Sequence, residues 1–254
     1  MEATKLLLWR RTGCANSSTP STRSPRCWAP ARRIGPPVSA KSPGSCAIGS
    51  RRVDSVDARR LVLSQLQDAL SVHEALLGSS EITNQIVTWA KTCADSLAQG
   101  GVIFFAGNGG SFADAQHLAA ELTGKMGRMR SPLAGIALGT NSSSMSAIGN
   151  DFGYQLTFAR ELEGLCRPHC VVIALTTSGN SANVLELVDQ ANVMSVPTLV
   201  FTGAHGGAVA ERCDVIRVPS DRTERIQEMH ILLGHTLCLL IEEFLGLFPS
   251  EPAS

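Results

Sequence analysis

Short apolar runs alternate with helix-like patterns from residue 57 onward. Two amphipathic helices are expected between 57 and 98; the first has its apolar residues at 61, 63, 66, 70 and 72, and Ser80 is placed to cap the second. Strands that are apolar at consecutive positions and alternate with helices predict an α/β fold, with a parallel sheet covered on both faces. The predicted strands are 102–106, 135–138, 171–175, 198–202 and 215–218, and the main helices between and after them are 114–126, 182–194 and 224–244.

The first predicted strand leads into a glycine-rich turn and then into a helix. The glycines of the turn at 107–111 let a ligand approach the backbone closely, and the helix N-terminus favours a phosphate. His117 and Glu121 lie about one helical turn apart, so one face could present them to one metal or one substrate. Many such turns hold only solvent. Phe112 excludes the dinucleotide fingerprint, and no Gly-Lys-Ser/Thr follows to make a P-loop.

Polar loops also follow the second and third predicted strands, at 140–144 and 176–181. The four hydroxyls of the loop at 176–181 and the backbone N–H groups of the next helix suit a phosphate monoester without any lysine or arginine. The alternative is a cluster that only caps the helix. Because ligands of parallel sheets bind beyond the carboxyl ends of the strands, convergence of the three loops predicts a phosphorylated small molecule there.

The last helix separates a core histidine from polar candidates. His230 falls on the apolar stripe and is predicted to be buried in the core, whereas Glu224, Gln227 and His235 lie on the opposite face. Apolar residues on that face too lead us to expect a helix buried all round, against another subunit. Earlier in the chain, the residues at 150–151 are expected to form a turn.

Charge divides the 254 residues unevenly. The totals of 22 basic and 22 acidic residues cancel, but residues 1–53 hold ten of the basic residues and only one acid, Glu2. The remaining 201 residues are net acidic, which argues against nucleic acid as a partner. The leader at 1–53 is predicted to be disordered. We interpret it as translated sequence upstream of the true start, with a transit peptide second and a functional basic tail third; the folded domain is expected at 54–254.

Cysteine usage and hydropathy suggest a compartment. The eight cysteines show no zinc-finger pairing and no signal peptide accompanies them, so we expect free thiols in a reducing, cytoplasmic setting. No eighteen consecutive apolar residues occur, so no membrane partner is expected.

Six separated motifs in one order resemble those of the phosphoheptose (sedoheptulose 7-phosphate) isomerases of the sugar isomerase (SIS) domain class. They are Gly-Asn-Gly-Gly-Ser at 107–111, Asp-Ala-Gln-His at 114–117, Glu-Leu-Thr-Gly at 121–124, Ala-Ile-Gly-Asn-Asp at 147–151, Thr-Ser-Gly-Asn-Ser-Ala-Asn-Val at 177–184 and Arg-Ile-Gln-Glu at 225–228 with His235. The resemblance spans about residues 57–246. It implies a three-layer αβα sandwich around a five-stranded parallel sheet, a homotetramer with sites between subunits, and an early step towards the heptose of lipopolysaccharide or other surface glycans.

The same resemblance implies the residues of the site. Zn²⁺ would be held by His117, Glu121, Gln227 and His235. A phosphorylated seven-carbon sugar would be contacted by Glu121, Gln227 and the side chains or backbone of Asn108, Gly109, Gly110, Ser111, Asn150, Asp151, Thr176, Thr177, Ser178 and Ser181. Gln227 and His235 are eight residues apart, about 12 Å along a helix, so both must lean towards one metal.

An aldose–ketose isomerase needs a base on carbon and an acid/base on oxygen. Here these would be Glu121 and His235, working through an enediol, with Zn²⁺ polarising the carbonyl or serving mainly as a structural ion. The chain departs from the family at Thr176, where Ser is usual, at Glu224, where some members have Asp, and in the Arg-Pro-His-Cys loop at 167–170, which we expect at the sheet edge away from the site.

A non-catalytic function is the alternative. The replication-initiator-associating proteins share the fold and act as tetrameric binding partners of the initiator protein, and they resemble this chain at 225–230. They tend to lack the carboxylate and the last histidine, which this chain has as Glu121 and His235. These two residues favour the enzyme.

Overall fold

The computed structural model describes residues 55–127 and 129–247. All of them belong to one unit of the chain, which spans 53–254. The prediction of a disordered leader at 1–53 lies outside the described residues and stays a prediction.

Five parallel strands form one sheet in the order β2-β1-β3-β4-β5. In the centre, Phe105 of β1 pairs with Ile173 of β3 on one side and with Ala137 of β2 on the other. Each strand lies within one or two residues of its predicted position. The strands are β1 Ile103–Gly107, β2 Gly135–Ala137, β3 Val171–Leu175, β4 Thr198–Thr202 and β5 Asp214–Arg217.

Seven α-helices accompany the sheet within the described residues. They are α1 Ser55–Leu77, α2 Ser80–Ala98, α3 Gly110–Thr123, α4 Ser142–Phe152, α5 Thr157–Leu165, α6 Ala182–Val193 and α7 Thr223–Phe244. Short 3-10 turns lie at Tyr154–Leu156 and Ala208–Glu211.

Alternate side chains of β1, β3 and β4 enter two separate cores. Phe105 and Phe201 point into the core that α2, α3 and α7 cover. Phe104 and Val200 point into the core that α5 and α6 cover. Since successive side chains of a strand point to opposite faces, a sheet with apolar residues at every position needs helices on both sides. The predicted three-layer αβα sandwich with a five-stranded parallel sheet is confirmed.

Helix boundaries differ from the predicted ones in three places. Helix α3 begins at Gly110, within the glycine turn at 107–111, rather than at 114. The expected turn at 150–151 is wrong, because these residues form the last turn of α4, a helix without buried residues and therefore without a clear apolar stripe. Helix α2 is capped by Ser79, whose hydroxyl accepts from the Ile82 N–H at 3.3 Å, rather than by Ser80.

The outer face of α1 is apolar and exposed. Leu61, Leu63, Leu66 and Leu70, four of the five apolar residues noted in this helix from the sequence, are 58–63% exposed, whereas Val72 and Leu76 near the helix end are buried. Polar contacts hold the middle of the helix: Arg222 pairs with Asp68, and Arg225 donates to the Gln65 carbonyl at 2.9 Å. An amphipathic helix usually faces its stripe to the core, and here most of the stripe faces away from it.

The expectation of a last helix buried all round, against another subunit, stays a prediction, because the structure holds one copy of the chain. Leu232, Leu239 and Phe244 of α7 are 42–46% exposed. In one copy of the described chain these three side chains are therefore partly open to solvent.

The described residues include five cysteines, at 93, 166, 170, 213 and 238, and all five are free thiols. In the same part of the chain no helix is long and apolar enough to cross a membrane.

His230 is a core histidine, as predicted. Its side chain is fully buried, its Nε2 lies 3.2 Å from the Thr202 carbonyl oxygen, and its ring packs on Phe201 with centroids 5.8 Å apart. Burial lowers its pKa from 6.5 to about 4, because the charged imidazolium would lose its hydration.

This depressed pKa predicts a pH-dependent stability. Below pH 6.5 His230 binds a proton in the unfolded chain, whereas in the folded chain it binds one only near pH 4. The contribution of His230 to the free energy of unfolding is therefore complete above pH 6.5 and declines as the pH falls below it. We expect His230 alone to lower the free energy of unfolding by about 2 kcal/mol between pH 7.5 and pH 5. Urea unfolding of wild type and His230→Gln at both pH values measures this difference, and an equal pH dependence in the two proteins would contradict it.

Candidate active site

Two polar loops lie at the point between β1 and β3 where the strand order of the sheet reverses. Strands β1 and β3 are neighbours, and the chain leaves β1 towards β2 on one side and β3 towards β4 on the other. Helices α3 and α6 follow these strands on opposite faces of the sheet. Such a switch point leaves a crevice at the carboxyl ends of the strands. The loops at 107–111 and 176–181 both emerge there.

A reciprocal pair of amides joins the two halves of this crevice. Asn108 Nδ2 donates to Asn183 Oδ1 at 2.8 Å, and Asn183 Nδ2 donates back to Asn108 Oδ1 at 2.9 Å. The Tyr154 hydroxyl donates to the same Asn108 oxygen at 3.1 Å. Asn183 is buried and Asn108 half-buried. The pair therefore fixes the loop after β1 against the first turn of α6.

Three ligand-type side chains meet between α3 and α7. His117 Nε2 lies 3.1 Å from Glu121 Oε1 and 2.9 Å from His235 Nε2. The imidazole rings meet edge to face, with centroids 4.9 Å apart. One donor atom from each of His117, Glu121 and His235 lies within 4.8 Å of the other two, and no other such group of acidic, histidine and cysteine residues occurs in the described part of the chain.

A close approach of the two helices produces this meeting. Gly234 of α7 is buried, and a Cβ at this position would lie 2.6 Å from Leu118 Cδ1 of α3. Glycine therefore allows α7 to press against Leu118. The next residue on α7 is His235 and the residue before Leu118 is His117, so the approach of the helices brings the two imidazoles together.

The donor set fits a metal ion. Two histidines and one glutamate are a known ligand set of catalytic zinc, and tetrahedral Zn²⁺ holds its nitrogen ligands roughly 3.3 Å apart. At 2.9 Å the two Nε2 atoms cannot both carry a proton, so at least one presents a lone pair to the space between the rings. The predicted ligands His117, Glu121 and His235 are thus brought together.

Asp114 adds an acidic group beside the histidines. Its Oδ2 is buried and has no hydrogen-bond partner among the described residues. Burial raises the pKa of Asp114, while His117 and His235 act in the opposite direction. A buried oxygen without a donor, next to two imidazoles, favours a cation at this end of α3.

Gln227 lies nearer to the glycine loop than the histidines do. Its Nε2 is 3.5 Å from Ser111 Oγ, and a Cβ at position 110 would lie 2.6 Å from the same nitrogen. The absence of a side chain at Gly110 leaves room for the amide. Gln227 therefore borders the first turn of α3, and both its contact with a substrate and its role as a metal ligand stay predictions.

Hydroxyls and free N–H groups line the loop after β3. Thr176 Oγ1 and Ser181 Oγ are 3.2 Å apart, and Ser178 Oγ accepts from the Asn180 N–H at 3.2 Å. Ser181 is the N-cap residue of α6, yet its side chain makes no capping bond. The alternative that this cluster only caps the helix therefore does not hold for Ser181, and the first N–H groups of α6 are available to an anion.

The glycine turn after β1 offers a second uncapped N-terminus. Gly109 has φ of 55°, a conformation that L side chains rarely adopt, and it makes no side-chain cap for α3. The N-termini of α3 and α6 thus open onto the same crevice.

Three other predicted residues, Asn150, Asp151 and Glu224, make side-chain contacts with their own neighbours. Asn150 donates to Asp151 Oδ1 at 2.7 Å at the exposed end of α4, and no hydrogen bond among the described residues links either side chain to the loops. Glu224 is exposed and paired with Arg222 at 2.5 Å. The loop at 167–170 precedes β3 and lies at the amino edge of the sheet, away from the crevice as expected.

Sequence reasoning missed the supports of the site. Asn183 lies within the motif at 177–184 and Tyr154 is the one tyrosine of the chain, but their partner Asn108 is far away in sequence. The one sequence signal for the Asn108–Asn183 pair is the presence of an asparagine in the first turn of α6 and another in the loop after β1.

We expect Asn183→Ala to lower the free energy of unfolding by about 1–3 kcal/mol, because it leaves the partly buried amide of Asn108 without its reciprocal partner. Asn192→Ala is the matched control: its exposed amide makes one bond, to the Arg212 carbonyl, and its loss should cost about 0.5 kcal/mol. Chemical denaturation measures both variants. Equal losses would contradict a special role for the amide pair.

Comparison with known proteins gives one consistent family. The model of the SIS domain matches residues 71–203. A phosphoheptose isomerase of Rhodospirillum rubrum is 53% identical over 151 residues, which are 59% of this chain and 80% of that protein. The structure of a phosphoheptose isomerase from Francisella tularensis has a TM-score of 0.69 and 30% identity, covering 75% of this chain and 100% of that one. One from Neisseria gonorrhoeae has a TM-score of 0.66 and 36% identity, covering 72% and 99%.

Proposed function

The chain belongs to the SIS domain family and, within it, to the phosphoheptose isomerases, so it is an isomerase; we propose that it converts sedoheptulose 7-phosphate into D-glycero-D-manno-heptose 7-phosphate. The observation that carries this proposal is the meeting of His117, Glu121 and His235 beside a crevice with two uncapped helix N-termini. Acid/base groups and an anion cradle are the two requirements of a sugar-phosphate isomerase.

The phosphate would bind to the loop after β3. The hydroxyls of Thr176, Thr177, Ser178 and Ser181 and the first N–H groups of α6 supply donors without any cationic side chain. Asn108, Gly109, Gly110 and Ser111 would contact the sugar from the opposite loop. Fixing the phosphate at one end decides which carbon of the sugar reaches the base, since the ligand is held at a set distance from it.

Glu121 would take the proton from C1 of the ketose and return a proton to C2. Its side chain is 20% exposed, and its Oε1 faces His117, which leaves Oε2 for the substrate. His235 would move the second proton, from the C1 hydroxyl to the C2 oxygen, so that the enediol forms and collapses without a net change of charge. Asn150, Asp151 and Gln227 would orient the sugar hydroxyls.

Zn²⁺ is the ion that we propose for the cluster, with His117, Glu121, Gln227 and His235 as its ligands. When bound, it would polarise the carbonyl group and stabilise negative charge on oxygen. The two oxygens of Glu121 allow one to remain beside His117 while the other acts on carbon.

Glu121→Gln tests the reaction and the role of its base together. Wild-type full-length chain, treated with a chelator and then resupplied with Zn²⁺, should form an aldoheptose 7-phosphate from sedoheptulose 7-phosphate. The variant should lose about 10²–10⁴-fold in kcat and still bind the sugar phosphate, because the amide keeps the shape of the side chain and cannot take a proton.

The matched control is Glu163→Gln, on the exposed side of α5, which should keep wild-type kcat. Retained turnover in Glu121→Gln would refute the assignment of the base. A folded wild type that gives no product would refute the proposed substrate and favour the binding role of the replication-initiator-associating proteins.

A second copy of this chain would cover the exposed face of α1, in a homotetramer with sites between subunits. The exposed leucines at 63, 66 and 70 share one face of α1, and exposed apolar faces of this kind mark association surfaces. Polar contacts to Arg222 and Arg225 link α1 to the first turn of α7, the helix that also carries Gln227 and His235. Association through α1 would therefore bear directly on the site.

Leu63→Glu/Leu66→Glu should shift the full-length chain from tetramer to smaller species in light scattering after gel filtration, since charges would be buried in an apolar interface. Val193→Glu, at an 81% exposed valine at the end of α6, is the control and should leave the mass unchanged. An unchanged mass for the α1 variant would contradict this interface.

We place the reaction in the cytoplasm, early in the synthesis of heptose for lipopolysaccharide or another surface glycan. The five free thiols of the described residues support a reducing compartment.

A further inference from the structure

A buried ion pair between Arg130 and Glu242 links the segment after α3 to the end of α7. Arg130 Nε lies 2.5 Å from Glu242 Oε1, and the two side chains are 2% and 1% exposed. Arg130 lies in the segment between α3 and β2, whereas Glu242 lies in the last turns of α7. A charge pair this deeply buried costs desolvation and persists only where further hydrogen bonds satisfy it.

Those further bonds go to the end of α3. Arg130 Nη2 donates to the Glu121 carbonyl at 2.7 Å, and Nη1 donates to the Leu122 carbonyl at 2.9 Å and the Gly124 carbonyl at 3.3 Å. The last carbonyls of a helix lack partners within the helix, and the last turn of α3 has no basic residue of its own. Arg130 supplies both the donors and the positive charge there.

One stripe of α7 links this pair to the site. His235, Cys238 and Glu242 are spaced three and four residues apart, so they share a face of the helix. Burial raises the pKa of Cys238 to about 12, with further contributions from the nearby Glu121 and Glu242 carboxylates. The Glu121 carboxylate therefore lies near this face of α7, between His235 and the ion pair.

We propose that Arg130, held by Glu242, is a positioning residue that fixes the last turn of α3 against α7 and thereby sets the place of the Glu121 carboxylate relative to His117 and His235. This inference rests on the proposed function of the cluster. Gly234 and Leu118 set how closely the helices approach beside the histidines, and the ion pair fixes the turn that carries Glu121. Without the ion pair, the last turn of α3 could unwind while the middle of the helix stayed packed against α7.

The decisive variant is Arg130→Met/Glu242→Leu, which replaces both charges with apolar groups of similar volume. Such a replacement of a buried pair often leaves stability unchanged, so the fold should persist. We expect kcat to fall about 10- to 100-fold and Zn²⁺ affinity, measured by competition with a chromophoric chelator, to fall about 10-fold, as for lost supports of metal ligands. KM should stay within about twofold, because the loop at 176–181 is untouched. Amide hydrogen exchange at 120–124 should quicken in the metal-free protein.

Two further variants keep the test conclusive. Arg130→Lys keeps a positive charge beside Glu242 but has one nitrogen in place of the three that reach Glu242 and the Leu122 and Glu121 carbonyls, so it should lose part of the kcat and of the Zn²⁺ affinity even if the double variant fails to fold. Arg212→Met/Asp189→Leu removes an ion pair of the same 2.5 Å length at the far end of α6 and should change none of these quantities.

Folded Arg130 variants with wild-type kcat, Zn²⁺ affinity and exchange at 120–124 would overturn the proposal. A wild type that binds Zn²⁺ but has no turnover, with affinity still lost in the variants, would refute the proposed reaction and leave the positioning role standing. A wild type with neither turnover nor Zn²⁺ binding would overturn both.

Discussion

The contact of α3 with α7 is the constraint on which the site depends. Glycine at 234 lets α7 press on Leu118, and the neighbouring residues His117 and His235 then meet with 2.9 Å between their Nε2 atoms. Any side chain at 234 would have to displace Leu118, a fully buried member of the core under the sheet. The packing of the apolar core therefore fixes the positions of His117 and His235. The two imidazoles alone would not hold each other in this arrangement.

The sheet contributes the other half of the site. Its order places β1 beside β3, so two helix N-termini open onto one crevice, and the Asn108–Asn183 amide pair locks the two loops together. The hydroxyls at 176–181 and the N-terminal N–H groups of α3 and α6 would suit an anion without the help of a lysine or arginine side chain.

The strands and the central cluster were predictable, but their supports were not. Apolar runs gave all five strands, because a strand buried on both faces has a plain signature, and His117 with Glu121 followed from helical spacing. Helix α4 has no buried residue, so its serine-rich sequence suggested only loops. The apolar residues of α1 predicted that one face of the helix is covered, but the sequence does not show whether the same chain or another copy covers it. Arg130 and Glu242 are 112 residues apart, and no local pattern pairs them.

The fate of the C1 hydrogens of sedoheptulose 7-phosphate in D₂O tests the central claim, that this cluster performs proton transfer between C1 and C2. With the full-length chain and Zn²⁺, NMR should show an aldoheptose 7-phosphate that carries solvent deuterium at C2, since the carboxyl group that has taken the C1 proton exchanges it with D₂O while the enediol is bound. Sedoheptulose 7-phosphate that binds, keeps both C1 hydrogens and gives no aldose would contradict the account.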